Sequence, residues 1–147
     1  MDFSLPPEID ALRLKVKTFV AENVIPLESD RSNYDAHENI RVEVLASLRE
    51  MAKAQGLWAP QMPVARGGRG LPVAAMAACY EELNYSLFGP VVCNCAAPDD
   101  GNMMVLEKVA TDEQKRDWLQ PVVDGRVRSA FAMTEPAVAS SDATNVE

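Results

Sequence analysis

Apolar residues recur at intervals of three and four through most of the first 125 positions, and the recurrences are interrupted by proline and glycine, not by strand-like alternation. A chain with this period folds into amphipathic helices that each bury one stripe. Ile9, Leu12, Val16, Phe19 and Val20 make the first stripe; Pro6-Pro7 mark its start and Pro26 its predicted exit. A second helix is predicted from about Glu38 to Gln55, with Ile40, Val44, Leu48 and Met51 on one face and Gly56 at the C′ position. A third opens at Pro72, read as its first helical residue. Val73, Met76, Ala77 and Tyr80 are its predicted face, and Ala74, Ala75, Ala77 and Ala78 let another backbone come close. Gly89-Pro90 are expected to end it. Val91 to Asp100 reads as a loop, and Met103, Leu106, Val109 and Ala110 as a short helix.

Thr111-Asp112-Glu113-Gln114 is a capping box, in which the threonine hydroxyl takes the Gln114 amide and the glutamine side chain reaches back. Asp112 and Glu113 suit the positive end of the helix dipole. The helix that follows carries Trp118, Leu119, Val122 and Val123 and stops at Gly125. Beyond it the pattern changes. Val127, Ser129, Ala130, Phe131 and Met133 predict one strand, closed by Pro136. A lone strand lacks a ladder partner, and stable sheets have three or more. The reading is therefore a helical domain over 1–125 and the start of a β domain over 126–147, with Glu147 expected at the edge of a fragment.

Composition narrows the function classes. The 147 residues are 48% hydrophobic, enough for one packed domain. A net charge of −8 argues against nucleic acid and anionic membrane surfaces, which attract basic faces. No run of about 18 apolar residues suggests a membrane span. Met1-Asp2-Phe3-Ser4 lacks a secretory pattern, so a cytoplasmic location is expected. Cys79, Cys93 and Cys95 are odd in number and read as free thiols. With His37 the only histidine, in the polar stretch Arg31 to Asn39, no four-ligand zinc set is at hand. Gly67-Gly68-Arg69-Gly70 lacks the Gly-Lys-Ser/Thr of a phosphate-binding loop and reads as a turn. G-x-S-x-G and H-E-x-x-H are both missing, which leaves serine-hydrolase and zinc-protease chemistry without support.

Three segments, taken in order, resemble the acyl-CoA dehydrogenase family. Gly67-Gly68-Arg69-Gly70-Leu71 is similar to its glycine-rich turn. Asp112 to Pro121, followed by Gly125, is similar to the helix before its signature. Phe131-Ala132-Met133-Thr134-Glu135-Pro136, followed by Ser140-Ser141-Asp142, resembles the signature itself. Asn94 to Met103 and Val138 to Asn145 look most like the branch sometimes fused to a phosphotransferase-like domain. The resemblance implies a mainly α fold, the family's N-terminal helical domain with the first strand of the middle β domain. It also implies FAD-dependent α,β-dehydrogenation of an acyl-CoA thioester. The further partners it implies are an electron-transfer flavoprotein or similar acceptor and copies of the same chain in a dimer or tetramer.

Site residues follow from the same resemblance. Reduced flavin gathers negative charge at the N1 and C2-carbonyl edge, and donors aimed there stabilise it. The resemblance gives that place to Thr134, with Met133 presenting backbone to the same edge and Phe131 packing beside it. Ser140 or Ser141 is the expected donor to pyrophosphate or CoA; most of the family has glycines and one residue fewer where this chain has Ala137, Val138 and Ala139. Cys93, Ala96 and Ala97 are the positional candidates for the acyl pocket. No catalytic base falls within the chain, because the family's base lies further downstream. The alternative is a non-catalytic truncated paralogue that pairs through its helices as an interaction module.

Overall fold

The computed structural model describes residues 4–136 and Thr144. Among them the regular structure is helical, in agreement with the periodicity, and the only bridge outside the helices pairs Tyr34 with Ile40. The elements are α1 (Pro7–Phe19), α2 (Ile25–Glu28), α3 (Val42–Ala54), α4 (Val73–Leu83), α5 (Gly89–Val92), α6 (Asp99–Val109), α7 (Asp112–Gln114) and α8 (Gln120–Val123).

Pro26 does not end the first helix. A widened turn over Val20–Val24 joins α1 to α2, and Pro26 sits inside α2. In a regular helix the proline ring would meet the carbonyl four residues back, that of Glu22. Here Ile25 N–H donates to Val20 O, five residues back, and the extra residue swings that carbonyl away. Lys115–Leu119 repeats the device between α7 and α8: Gln120 N–H reaches Lys115 O and Pro121 follows within the helix.

Other boundaries also shift: α4 ends at Leu83, and Gly89-Pro90, expected to end it, open α5, which runs into the stretch read as a loop. The second helix begins at Val42, not near Glu38, because the Asp35 carboxylate takes the amides of His37 at 2.8 Å and Asn39 at 3.0 Å and closes a turn. Asn39 N, His37 N and the bridge at Ile40 are thereby used outside any helix. Pro72 is the cap of α4, not its first residue, and the buried face is Ala75, Ala78, Cys79 and Leu83. Val73, predicted to be inward, is 76% exposed. The small residues win this face because α4 lies along α1, where short side chains let the axes approach, and the Arg13 guanidinium crosses to the buried Glu82 carboxylate.

The capping box forms as read: Thr111 N donates to Gln114 Oε1 at 2.9 Å and Gln114 N to Thr111 Oγ1 at 3.3 Å. Val127 to Glu135 carries no strand among the described residues. That part of the sequence reading is not met, since strand pairing needs a neighbour and none is at hand.

Two apolar clusters fill the interior. Phe19, Val20, Val24, Leu48, Ala52, Leu83 and Val92 belong to one, built from α1, α3, α4 and α5. Trp58, Met62, Met103, Leu119, Val122 and Val123 belong to the other, which closes α6 and α8 over the segment after α3. Helices α3 and α8 end alike. Gly56 and Gly125 stand at C′ with φ of 66° and 75°. After α3, Leu57 N reaches Ala52 O at 2.8 Å; after α8, Arg126 N reaches Pro121 O at 2.9 Å.

The two glycines differ in what surrounds them. A Cβ at Gly56 would meet only the far end of the Arg69 side chain, itself bonded to Gly56 O, at 3.0 Å, whereas one at Gly125 would sit 2.8 Å from the buried Trp58 ring. Gly56→Ala should cost about 1–2 kcal/mol for the left-handed backbone. Gly125→Ala should cost that plus about 1–3 kcal/mol for overpacking. Urea unfolding of the two variants tests the order; equal losses would refute the Trp58 contact as the cause.

Candidate functional site

The residues the sequence singles out lie on two stretches: the α5–α6 junction and the segment after α8. The geometry begins with what holds them. Asn94 is buried at 3% exposure, with φ of 58°, in the junction. Its amide donates to Val122 O at 3.0 Å and Val123 O at 3.1 Å, while its own carbonyl accepts from Gln61 at 3.0 Å. Trp58 Nε1 also donates to Val123 O, at 2.9 Å. Val122 O also takes the Gly125 N–H at 3.0 Å, and these side chains complete the bonding of the last carbonyls of α8.

Arg49 continues the sequence of ties. Its guanidinium donates to Gly125 O at 3.1 Å and to Val91 O at 3.3 Å, and lies 5.6 Å from the Trp58 ring centre. Burial, reinforced by the charge of Arg128, pulls its pKa below the ordinary arginine value, and Asp99 opposes the shift. Next along the chain, Asp99 receives Arg128 Nε at 2.6 Å, Ser129 N at 2.6 Å and Ser129 Oγ at 2.7 Å. Asn102 Nδ2 donates to the same hydroxyl at 2.8 Å. Asp99 is 2% exposed.

These contacts bring the two stretches together. Asp99 stands two residues after Ala97, and Ser129 two residues before Phe131. Ala96 is half-buried and Ala97 exposed at this edge. Cys93 is fully buried within the first cluster. Phe131 is 61% and Met133 44% exposed, and Thr134 between Met133 and Glu135 is exposed as well. Ser140 and Ser141 lie outside the described residues. Tyr80 OH, beside the junction, donates to Asp100 at 3.3 Å, and burial raises the Asp100 carboxyl above its usual value against that bond. Phe88, Val91 and Arg49, with Val127 and Arg128 of the exit segment itself, line an open groove of about 700 Å³.

Asp99, Arg128, Ser129, Asn94 and Arg49 are the site-shaping residues that sequence reading missed. Periodicity marks only which face is apolar, and none of these is apolar. The single sequence cue is Asp99 at the first position of a helix, where a carboxylate is favoured.

The thiols read as free are free and buried. Burial pushes Cys93 up to about 12 from an ordinary value near 9, with Cys79 adding to the rise. A raised thiol pKa keeps the folded state protonated where the unfolded chain ionises, so its contribution to stability is complete below about pH 9 and falls as pH rises toward 12. Native protein at neutral pH should resist iodoacetamide at all three cysteines and react at all three in urea. Rapid native alkylation of Cys93 would show an open pocket at that residue.

Comparison with known proteins supplies the family. A model of the acyl-CoA dehydrogenase N-terminal domain matches residues 6–126. The chain is 46% identical over 140 residues to acyl-CoA dehydrogenase family member 11 of Gallus gallus, covering 91% of this chain and 18% of that protein. It is 39% identical over 150 residues to acyl-CoA dehydrogenase family member 10 of Mus musculus, covering 97% and 14% respectively. A solved structure of a candidate acyl-CoA dehydrogenase from Mycobacterium abscessus superposes with a TM-score of 0.82 at 40% identity, over 97% of this chain and 38% of that one. The chain thus spans well under half the length of these relatives. It belongs to the acyl-CoA dehydrogenase family and carries that family's N-terminal domain.

Proposed function

We propose that the chain is the N-terminal portion of an FAD-dependent acyl-CoA dehydrogenase, with a helical domain over 1–125 and the start of a middle domain over 126–147. The observation that carries this reading is the exposure of Phe131 (61%) and Met133 (44%) immediately before the exposed Thr134 donor. Apolar side chains in such a place want a flat apolar cover, and a polar donor beside them wants an acceptor. An isoalloxazine ring offers both, so the residues present fit the group. When bound, it would accept the hydride of the α,β-dehydrogenation.

Thr134 N–H and Oγ would donate to the pyrimidine edge of the ring, and Phe131 and Met133 would exclude water from its side. Ser140 or Ser141 would hold a phosphate or the CoA arm. Ala96 and Ala97 would leave room for the acyl chain, with Cys93 as packing behind them. The proton-abstracting carboxylate is assigned to a region beyond these residues, so the 147-residue chain by itself should not reduce a dye on addition of an acyl-CoA. The same reading takes an electron-transfer flavoprotein or similar carrier as acceptor, a homo-oligomer as the assembly and the cytoplasm as the location. No helix among the described residues is long and apolar enough to cross a membrane.

The test is the polypeptide isolated from its source cells. Bound flavin and acyl-CoA-dependent dye reduction are expected. Thr134→Ala should lower kcat by about 10²-fold, the scale of one lost charge-stabilising donor. Isolated protein without flavin, or a Thr134→Ala variant with unchanged kcat, would overturn the reading.

A further inference from the structure

We propose that Asp99 is a positioning residue for the dehydrogenase reaction: through Arg128 and Ser129 it fixes where the segment carrying Phe131, Met133 and Thr134 leaves the helical core. The inference rests on the function proposed above and assigns a role to a residue outside the flavin and acyl sets.

The geometry argues for a clamp, not a surface ion pair. Asp99 is buried, and its two oxygens take three donors between 2.6 and 2.7 Å, all from consecutive residues of the exit segment. Each oxygen is used: Oδ2 receives the guanidinium, and Oδ1 receives the amide and hydroxyl of Ser129. Asn102 Nδ2 locks the hydroxyl rotor from one turn further along α6. Charge-assisted bonds of this length are directional and strong. Asp99 is also the first residue of α6, where the helix dipole favours its charge.

The clamp acts at short range. Ser129 and Thr134 are five residues apart, a span of at most about 18 Å when extended. From Ala130 to Thr134 the side chains are exposed, so Ser129 is the last residue before Thr134 that is anchored to the helical core. Arg49 fixes Gly125 O before it, so residues 125–129 are held at both ends. A displacement at Ser129 is therefore carried to Thr134, where about 1 Å is enough to weaken alignment with a reacting group.

Asp99→Asn and Arg128→Gln provide the test. The first keeps the shape and an acceptor for Ser129 but loses the charge; the second removes the guanidinium from a side chain that is 48% exposed and leaves the buried carboxylate uncompensated, with Ser129 as its remaining donor in the exit segment. In the 147-residue chain, the Ser129 amide should exchange with deuterium at least tenfold faster in both variants, while the amides of Leu119, Gln120, Val122 and Val123 keep their protection. In the flavin-bearing polypeptide isolated from its source, kcat per bound flavin should fall at least tenfold, and Arg128→Lys should recover part of it. A purely structural role would lower flavin content or yield and leave kcat per flavin unchanged. Unaltered Ser129 exchange overturns the clamp. Faster exchange with unaltered kcat per flavin overturns the positioning role. Wild-type protein without flavin overturns the dehydrogenase reading and this role with it, and the exchange result still stands apart as a property of the chain.

Discussion

The amide of Asn94 is the contact on which the rest of the domain's exit depends. Helix α8 ends inside the protein, and its last carbonyls would be costly if left dry and unbonded. Asn94 reaches two of them with one amide group. To do so its backbone turns into the left-handed region, which asparagine tolerates better than other side chains of its size. Its own carbonyl is then taken by Gln61, which draws the segment after α3 into the same network. Two apolar clusters that share no helix are joined by this polar seam. The position of Gly125, and so of everything after it, follows from where α8 is held.

Prolines give a second lesson in how local rules are overridden. Pro26 and Pro121 both sit where a regular helix forbids them, and both are admitted by a widened turn that ends one residue before the helix resumes. The benefit lies in packing. Val20 and Val24 flank the first widened turn and are both buried, and Leu119 closes the second at zero exposure. A break at either proline would take these residues out of register with the core. The energy of apolar burial, about 1.5–3 kcal/mol for each such side chain, exceeds the loss of one helical hydrogen bond.

Much of the fold is legible in the sequence because its signals are local. The stripe on α1, Gly56 after α3, the Thr111–Gln114 box and Gly125 after α8 each need only a few neighbouring residues. What could not be read depends on partners far away in the chain. Arg49 bonds to Gly125, 76 positions on, and Asp99 to Ser129, 30 positions on. The true face of α4 is a further case: Val73 has the more apolar side chain, but Ala75 and Ala78 face α1 because closeness between axes outweighs hydrophobicity at one position. Ordered motifs took the reading to the family; they carry no trace of the buried charges that set the exit.

Those buried charges raise the question of why a domain with ample apolar surface uses an ionic anchor. Apolar contact is roughly proportional to area and indifferent to direction, so it would hold the exit segment down without aiming it. A buried carboxylate is the opposite. It contributes little net stability, since desolvation offsets much of the attraction, yet it tolerates few arrangements of its donors. Asp99 accepts from a guanidinium, an amide and a hydroxyl of adjacent residues, all three within 2.7 Å, which ties the backbone of the exit segment to it at consecutive positions. The domain's stability rests on its two apolar clusters, and its geometry at the point of exit rests on Asn94, Arg49 and Asp99.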